Sequence, residues 1–141
     1  MGIYPALLTI CSLVGALCAG FILAQSPHRR ATRLAALLGL GGAWWALCEA
    51  FWNAAPTAAI ARMWMQLSTP GWVFIPGLLP HLMNRYFDDY PMEDLGRVRD
   101  RLRGASWFGY TIGFAVLGLS WWGLGVHGPV HRVPWGWTYT L

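Results

Sequence analysis

The sequence contains no lysine, and charged residues of all kinds make up only 11% of its 141 positions. Soluble domains carry roughly 25% charged residues, so the polar surface that keeps a domain in water is lacking. Hydrophobic residues account for 56%. The signatures of catalysis are also missing: there is no Walker loop, no HExxH, no GxSxG and no Cys/His zinc spacing. The run Gly39-Leu40-Gly41-Gly42 lies inside an apolar stretch and does not read as a phosphate loop. Cys11, Cys18 and Cys48 form no CxxC pair and all sit in apolar runs. An odd count in such surroundings reads as small packing residues, not as disulfides or metal ligands. No enzyme is expected, and no catalytic or metal-binding residue is assigned.

A leader peptide is also poorly supported. The opening Met1-Gly2-Ile3-Tyr4-Pro5 has no basic residue, and no small-x-small cleavage site with a soluble domain after it appears. Gly15-Ala16-Leu17 before Cys18 is not a lipoprotein box. The first apolar run therefore reads as an uncleaved membrane helix.

What is present is glycine (17), tryptophan (10) and long apolar runs. Glycine is frequent in membrane helices, and tryptophan collects at bilayer interfaces. Four spans are expected, at residues 4–24, 31–52, 58–87 and 105–126. Crossing the hydrocarbon takes about 20 residues at ~1.5 Å each. Backbone groups in lipid must be paired, which leaves helices or closed barrels, and the alternation of a barrel strand is absent. The expected fold is an all-α membrane protein, a single domain of about four antiparallel helices in a bundle.

The connections refine this. Ser26-Pro27-His28-Arg29-Arg30 and Asn53-Ala54-Ala55-Pro56 are short, so spans 1–2 and 2–3 form helical hairpins. The third connection, about residues 88–104, is longer and charged. Met92, Leu95, Val98 and Leu102 recur there at helical spacing, Glu93 and Arg97 sit four apart, and Pro91 suits a first turn. This predicts a short amphipathic helix on the membrane surface between spans 3 and 4.

All ten basic residues are arginine. Their clustering in connections points to membrane orientation rather than nucleic acid. Arg29, Arg30, Arg33, Arg85, Arg97, Arg99, Arg101 and Arg103 fall on one side; Arg62 and Arg132 fall on the other. The positive-inside rule puts the first and third connections in the cytoplasm of a bacterial cell. The N-terminus and residue 141 then lie outside the inner membrane. Trp52, Trp64, Trp121, Trp122, Trp135 and Trp137 form an outer aromatic belt.

Within the spans, few residues carry chemistry. Glu49 is the only acidic residue in a span, and Arg62 sits at similar depth across the outer turn. An ion pair or water-bridged contact is expected between them, since a membrane carboxylate is costly alone. His81 is the only histidine well inside a span. It lacks a partner histidine for a two-ligand haem, so a hydrogen-bonded structural role competes with a single-ligand contact to a pigment or quinone. No cofactor is assigned beyond such a lipid, quinone or pigment contact. Pro70, Pro76 and Pro80 should kink or unwind span 3. Broken helices build transporter sites, but no charged or amide residue lies between Pro70 and Pro80. The small-residue stripes Ala35-x-x-x-Gly39-x-x-x-Ala43 and Gly109-x-x-x-Gly113 read as helix-packing faces, either within the chain or against another protein.

Spans 2 and 3 resemble a known family. Ala43-Trp44-Trp45-Ala46-Leu47-Cys48-Glu49-Ala50, the outer turn, and Met63-Trp64-Met65-Gln66-Leu67-Ser68 are similar to the N-terminal seven-helix membrane region of bacterial sensor histidine kinases. Phe74-Ile75-Pro76-Gly77-Leu78-Leu79-Pro80-His81, the edge Arg85-Tyr86-Phe87 and the tail Arg132-Val133-Pro134-Trp135-Gly136 share the likeness. It is motif-like over residues 43–87 and 132–136. It implies an outside N-terminus and a sensory or regulatory membrane module. Three of the seven helices, the phosphoacceptor box and the nucleotide-binding region are missing here, so kinase activity does not carry over.

Two functions follow as expectations. One is a non-catalytic membrane module of sensory or interaction type, either by itself or as the N-terminal part of a longer chain. Its partners would be lipids and other membrane helices, not nucleic acid. The other is an accessory subunit of a photosynthetic or respiratory complex. With four spans both ends lie outside, so an output domain could not follow Leu141 directly.

Overall fold

Short connections fold successive apolar helices back on one another, and the computed structural model shows the result for residues 3–89, 96–122, 130–134 and 136–139. Five helices, α1 (Ile3–Gln25), α2 (Arg30–Ala54), α3 (Ala58–Val73), α4 (Ile75–Asp89) and α5 (Gly96–Trp121), precede two strands, β1 (Val130–Val133) and β2 (Gly136–Tyr139). Among the described residues the chain is all-α apart from this hairpin. Two helices, α1 and α2, are long and apolar enough to cross a membrane.

The first turn is closed by the Arg29 N–H donating to the Ser26 carbonyl at 3.1 Å, and Arg33 Nε donates to Pro27 O at 2.7 Å. At the other end the Ala55 N–H donates to Trp52 O. Thr57 then caps α3, its hydroxyl oxygen accepting from the Ile60 N–H. An extended Thr at this position satisfies one of the donors a helix start leaves free.

The helices pack as a row in chain order: α1 on α2, α2 on α3 and α4, and α3 and α4 on α5. The α1–α2, α2–α3 and α4–α5 seams are built on small residues. Gly15 faces Ala43, and Gly39 faces Ala19. Ser12 Oγ donates to Ala43 O at 2.7 Å in the same seam. Gly71 lies against the Gly41 backbone, and Gly109 against Pro76 and Gly77. Side chains this small let backbones approach closely. Both stripes expected from the sequence therefore do their packing within the chain. Ala35 sits at the edge of its stripe, half-buried where α2 nears α4.

The expected third span is two helices. Pro76 has no N–H to give to Trp72 O and its ring crowds the preceding turn. The ladder stops at Phe74 (φ −91°, ψ −7°) and restarts when Gly77 and Leu78 both donate to Phe74 O. Pro70 and Pro80 stay inside α3 and α4, so one of the three expected kinks is a break.

The separate surface helix between spans 3 and 4 is not formed. Residues 96–104 are the first turns of α5, which runs on to Trp121 without interruption. No proline intervenes, Ser106 Oγ donates back to Leu102 O, and Arg99 Nη2 donates to Phe87 O, tying this end to α4. Pro91, Met92, Glu93 and Leu95 lie outside the described residues, so the Glu93–Arg97 pair does too.

The hairpin pairs Val130 with Tyr139, His131 with Thr138, Arg132 with Trp137 and Val133 with Gly136. Gly136 has φ +150°, a backbone conformation favouring glycine. The hairpin docks on the α2–α3 turn, where Trp137 Nε1 donates to Ala55 O at 2.7 Å.

Candidate functional site: two cavities beside the helix break

The break at Phe74 shapes an apolar hollow beside it. Breaking α3 from α4 redirects the chain, and the glycines on either side bring α2 and α5 close to it. The result is an open cavity of about 480 Å³ lined by Leu37, Trp44, Pro70, Phe74, Leu78 and Phe114, with Gly41 and Gly71 at its floor. Phe74 and Phe114 meet edge to face there, ring centroids 5.0 Å apart. Trp44 Nε1 donates to Leu67 O at 2.7 Å, so its polar atom is paired while its ring faces the cavity. Such a space suits an apolar chain or ring.

Tyr110 lines this cavity and also a second one of about 300 Å³ between α4 and α5. The second is the more polar of the two, lined by His81, Asn84, Arg85, Arg103 and Ser106 as well as Trp107. His81 Nδ1 lies 3.0 Å from the Tyr110 hydroxyl, and the two rings sit edge to face. Arg85 and Arg99 share Asp88, at 3.2 and 3.4 Å. Asn84 is 7% exposed, yet its Oδ1 has no hydrogen-bond partner, nor has the buried Nε of Arg85.

The sequence-expected residues are placed as follows. Among the described residues no direct ion pair joins Glu49 to Arg62. Glu49 Oε1 instead accepts from the Tyr4 hydroxyl at 2.6 Å. The reason is rotational: α3 buries Ala61, Met65, Ser68 and Thr69. Arg62, one position on from Ala61, is turned to the exposed side, while Glu49 faces α1. His81 has a hydrogen-bonded neighbour, Tyr110. Among the described residues no group of three or more His, Cys, Asp or Glu could hold a metal.

Of the tryptophans, Trp64 stacks on Phe51 with centroids 4.5 Å apart, Trp52 is half-buried, and Trp121 and Trp122 are exposed. Trp137 is bonded to the α2–α3 turn and lies 5.9 Å from the Arg132 guanidinium. Trp135 lies outside the described residues.

Sequence reasoning passed over Tyr4, Asn84, Arg103, Ser106 and Tyr110. A signal existed for most of them. His81, Asn84, Arg85 and Asp88 follow helical spacing on one face of α4, and Arg103, Ser106 and Tyr110 do so on α5. Tyr4 gave none, because only the α1–α2 seam sets it beside Glu49. No family model, no curated protein and no solved structure matches this chain.

Proposed function

We propose that this chain is a non-catalytic, four-span membrane module of sensory or regulatory type, of the kind its resemblance to the sensor-kinase membrane region implies. The observation that carries this reading is the apolar cavity built on the broken helix. A helix interrupted beside an open apolar space can report occupancy, because an occupant touches both α3 and α4 and biases their relative angle. In this reading α1, α2, α3 with α4, and α5 cross the bacterial inner membrane. The arginine-rich end is cytoplasmic, and the hairpin lies outside over the α2–α3 turn.

The rival reading, an accessory subunit of a large complex, drew on its small-residue stripes as partner surfaces. Gly39, Ala43, Gly109 and Gly113 are occupied by the chain's own helices, which favours a self-contained module.

The test is gentle extraction from native membranes followed by native mass spectrometry. A small particle carrying an apolar or amphiphilic molecule is expected. Leu78→Trp, which fills the cavity, should release that molecule while the chain stays folded. Stoichiometric co-migration with a pigmented or redox complex would establish the accessory-subunit reading instead.

A further inference from the structure

The polar cavity between α4 and α5 has two unmet demands of opposite kind. Asn84 Oδ1 is a buried acceptor without a donor, and Arg85 Nε is a buried donor without an acceptor. Both residues line the same space, and they do not satisfy each other. Buried polar groups are nearly always paired, so an orphan calls for an explanation. Leaving one unpaired is costly, which makes a partner that supplies the bond favourable.

The rest of the lining defines that partner. Arg103 is exposed and has no ion pair among the described residues, so its guanidinium is available to the cavity. Ser106 Oγ spends its proton on Leu102 O and keeps lone pairs to accept with. Among the described residues, the charges that line the cavity or are ion-paired to its lining are Arg85 and Arg103, with Asp88 and Arg99 behind them, Asp88 being shared by Arg85 and Arg99. The balance is cationic, and guanidinium groups match the oxygen spacing of a phosphate.

We propose that this cavity binds a phosphate group that also carries an O–H or N–H donor. Phosphate oxygens meet Arg85 Nε and the Arg103 fork, and the donor meets Asn84 Oδ1 and Ser106 Oγ. Two sources offer this chemistry: a phospholipid headgroup such as phosphatidylglycerol, and a soluble phosphate carrying a proton. The site goes beyond the module reading above. It draws on the membrane assignment only for the lipid source, whereas its recognition chemistry stands on the cavity alone.

The test uses the full chain, delipidated in a maltoside detergent and titrated calorimetrically with three probes: dihexanoyl-phosphatidylglycerol, dihexanoyl-phosphatidylcholine and inorganic phosphate. Phosphatidylcholine has the phosphate but no donor, and its quaternary ammonium opposes the arginines. Binding of phosphatidylglycerol without inorganic phosphate identifies a lipid headgroup site. Binding of both, or of inorganic phosphate alone, identifies a site that a soluble phosphate fills. In each case Arg103→Gln should weaken binding about tenfold, the loss of one charge-assisted contact. Asn84→Leu should abolish it while the melting temperature holds or rises, because an unsatisfied amide has been removed. The proposal is overturned if phosphatidylcholine binds as tightly as phosphatidylglycerol, if no probe binds, or if folded Arg103→Gln leaves affinity unchanged. The Arg103→Gln arm decides the matter should Asn84→Leu not fold. Failure here leaves the four-span reading standing, since that is tested separately by surface labelling.

Discussion

Glu49 takes its hydrogen bond from Tyr4 rather than a charge from Arg62. A phenol at 2.6 Å is a strong donor to a carboxylate, and it joins the start of α1 to the last turns of α2. A double-mutant cycle with Tyr4→Phe and Glu49→Gln should give a coupling energy of about 1.5–3 kcal/mol, the range for bonds to charged groups. Thermal or denaturant unfolding in detergent measures it. Arg62→Gln should change stability by less than about 0.5 kcal/mol, since Arg62 is exposed and forms no ion pair among the described residues. Additivity of the Tyr4 and Glu49 substitutions would dissolve the link. Cys48 is buried and Cys11 and Cys18 are exposed on α1, and none has a cysteine partner.

Among the elements, glycine spacing separates packed seams from open faces. A Cβ at Gly109 would lie 2.6 Å from Pro76 O, and that atom is backbone. Gly109→Ala should therefore cost about 1–3 kcal/mol through overpacking. Gly118 on the same helix has open space around it, so Gly118→Ala should be neutral or stabilise by up to about 1 kcal/mol through helix propensity. Equal effects would mean that α5 does not pack on α4 through Gly109.

The α3–α4 break gives a second prediction. Without it, residues 58–89 would make one helix of about 48 Å at 1.5 Å per residue. Pro76→Ala restores the missing N–H and should straighten this segment. The distance between spin labels at Thr57 and Asp88 should then lengthen, and the apolar cavity should change shape. An unchanged distance would assign the break to tertiary contacts rather than to proline.

For the whole molecule, packing gathers the arginines. The α1–α2 turn, the end of α4 and the start of α5 come together, and with them Arg29, Arg30, Arg33, Arg85, Arg97, Arg99, Arg101 and Arg103. Arg132 and the hairpin lie at the opposite end, over Ala55. The positive-inside rule then predicts that, in a cysteine-free background, Ser26→Cys resists an impermeant maleimide added to intact cells, whereas Thr57→Cys reacts. The reverse labelling would invert the topology, and equal labelling of both would remove the membrane reading.

Much of this fold was legible in the sequence because its cause is local. Apolar length set α1 and α2, Pro27 and Pro56 marked the turns, and Pro70, Pro76 and Pro80 together marked the third run for a kink, while only the structure showed that the break falls at Pro76. Where partners are distant, legibility failed. Neither the Tyr4–Glu49 bond, which spans 45 positions, nor the Trp137–Ala55 bond, which spans 82, has a local signature. The hairpin was missed for a related reason: its short strands are held by docking on the α2–α3 turn, since an isolated two-stranded hairpin is at best marginal.

The scarcity of charge and the long apolar runs, met first in the sequence, determined that α1 and α2 are long and apolar enough to cross a membrane, because length and composition are local properties. Helix positions followed from the same apolar runs. Rotation of each helix about its axis was decided only by the tertiary structure. It depends on which glycine meets which backbone, and a turn of one residue is about 100°. That rotation turned Arg62 away from Glu49, and it brought Asn84, Arg85, Arg103 and Ser106 around one cavity.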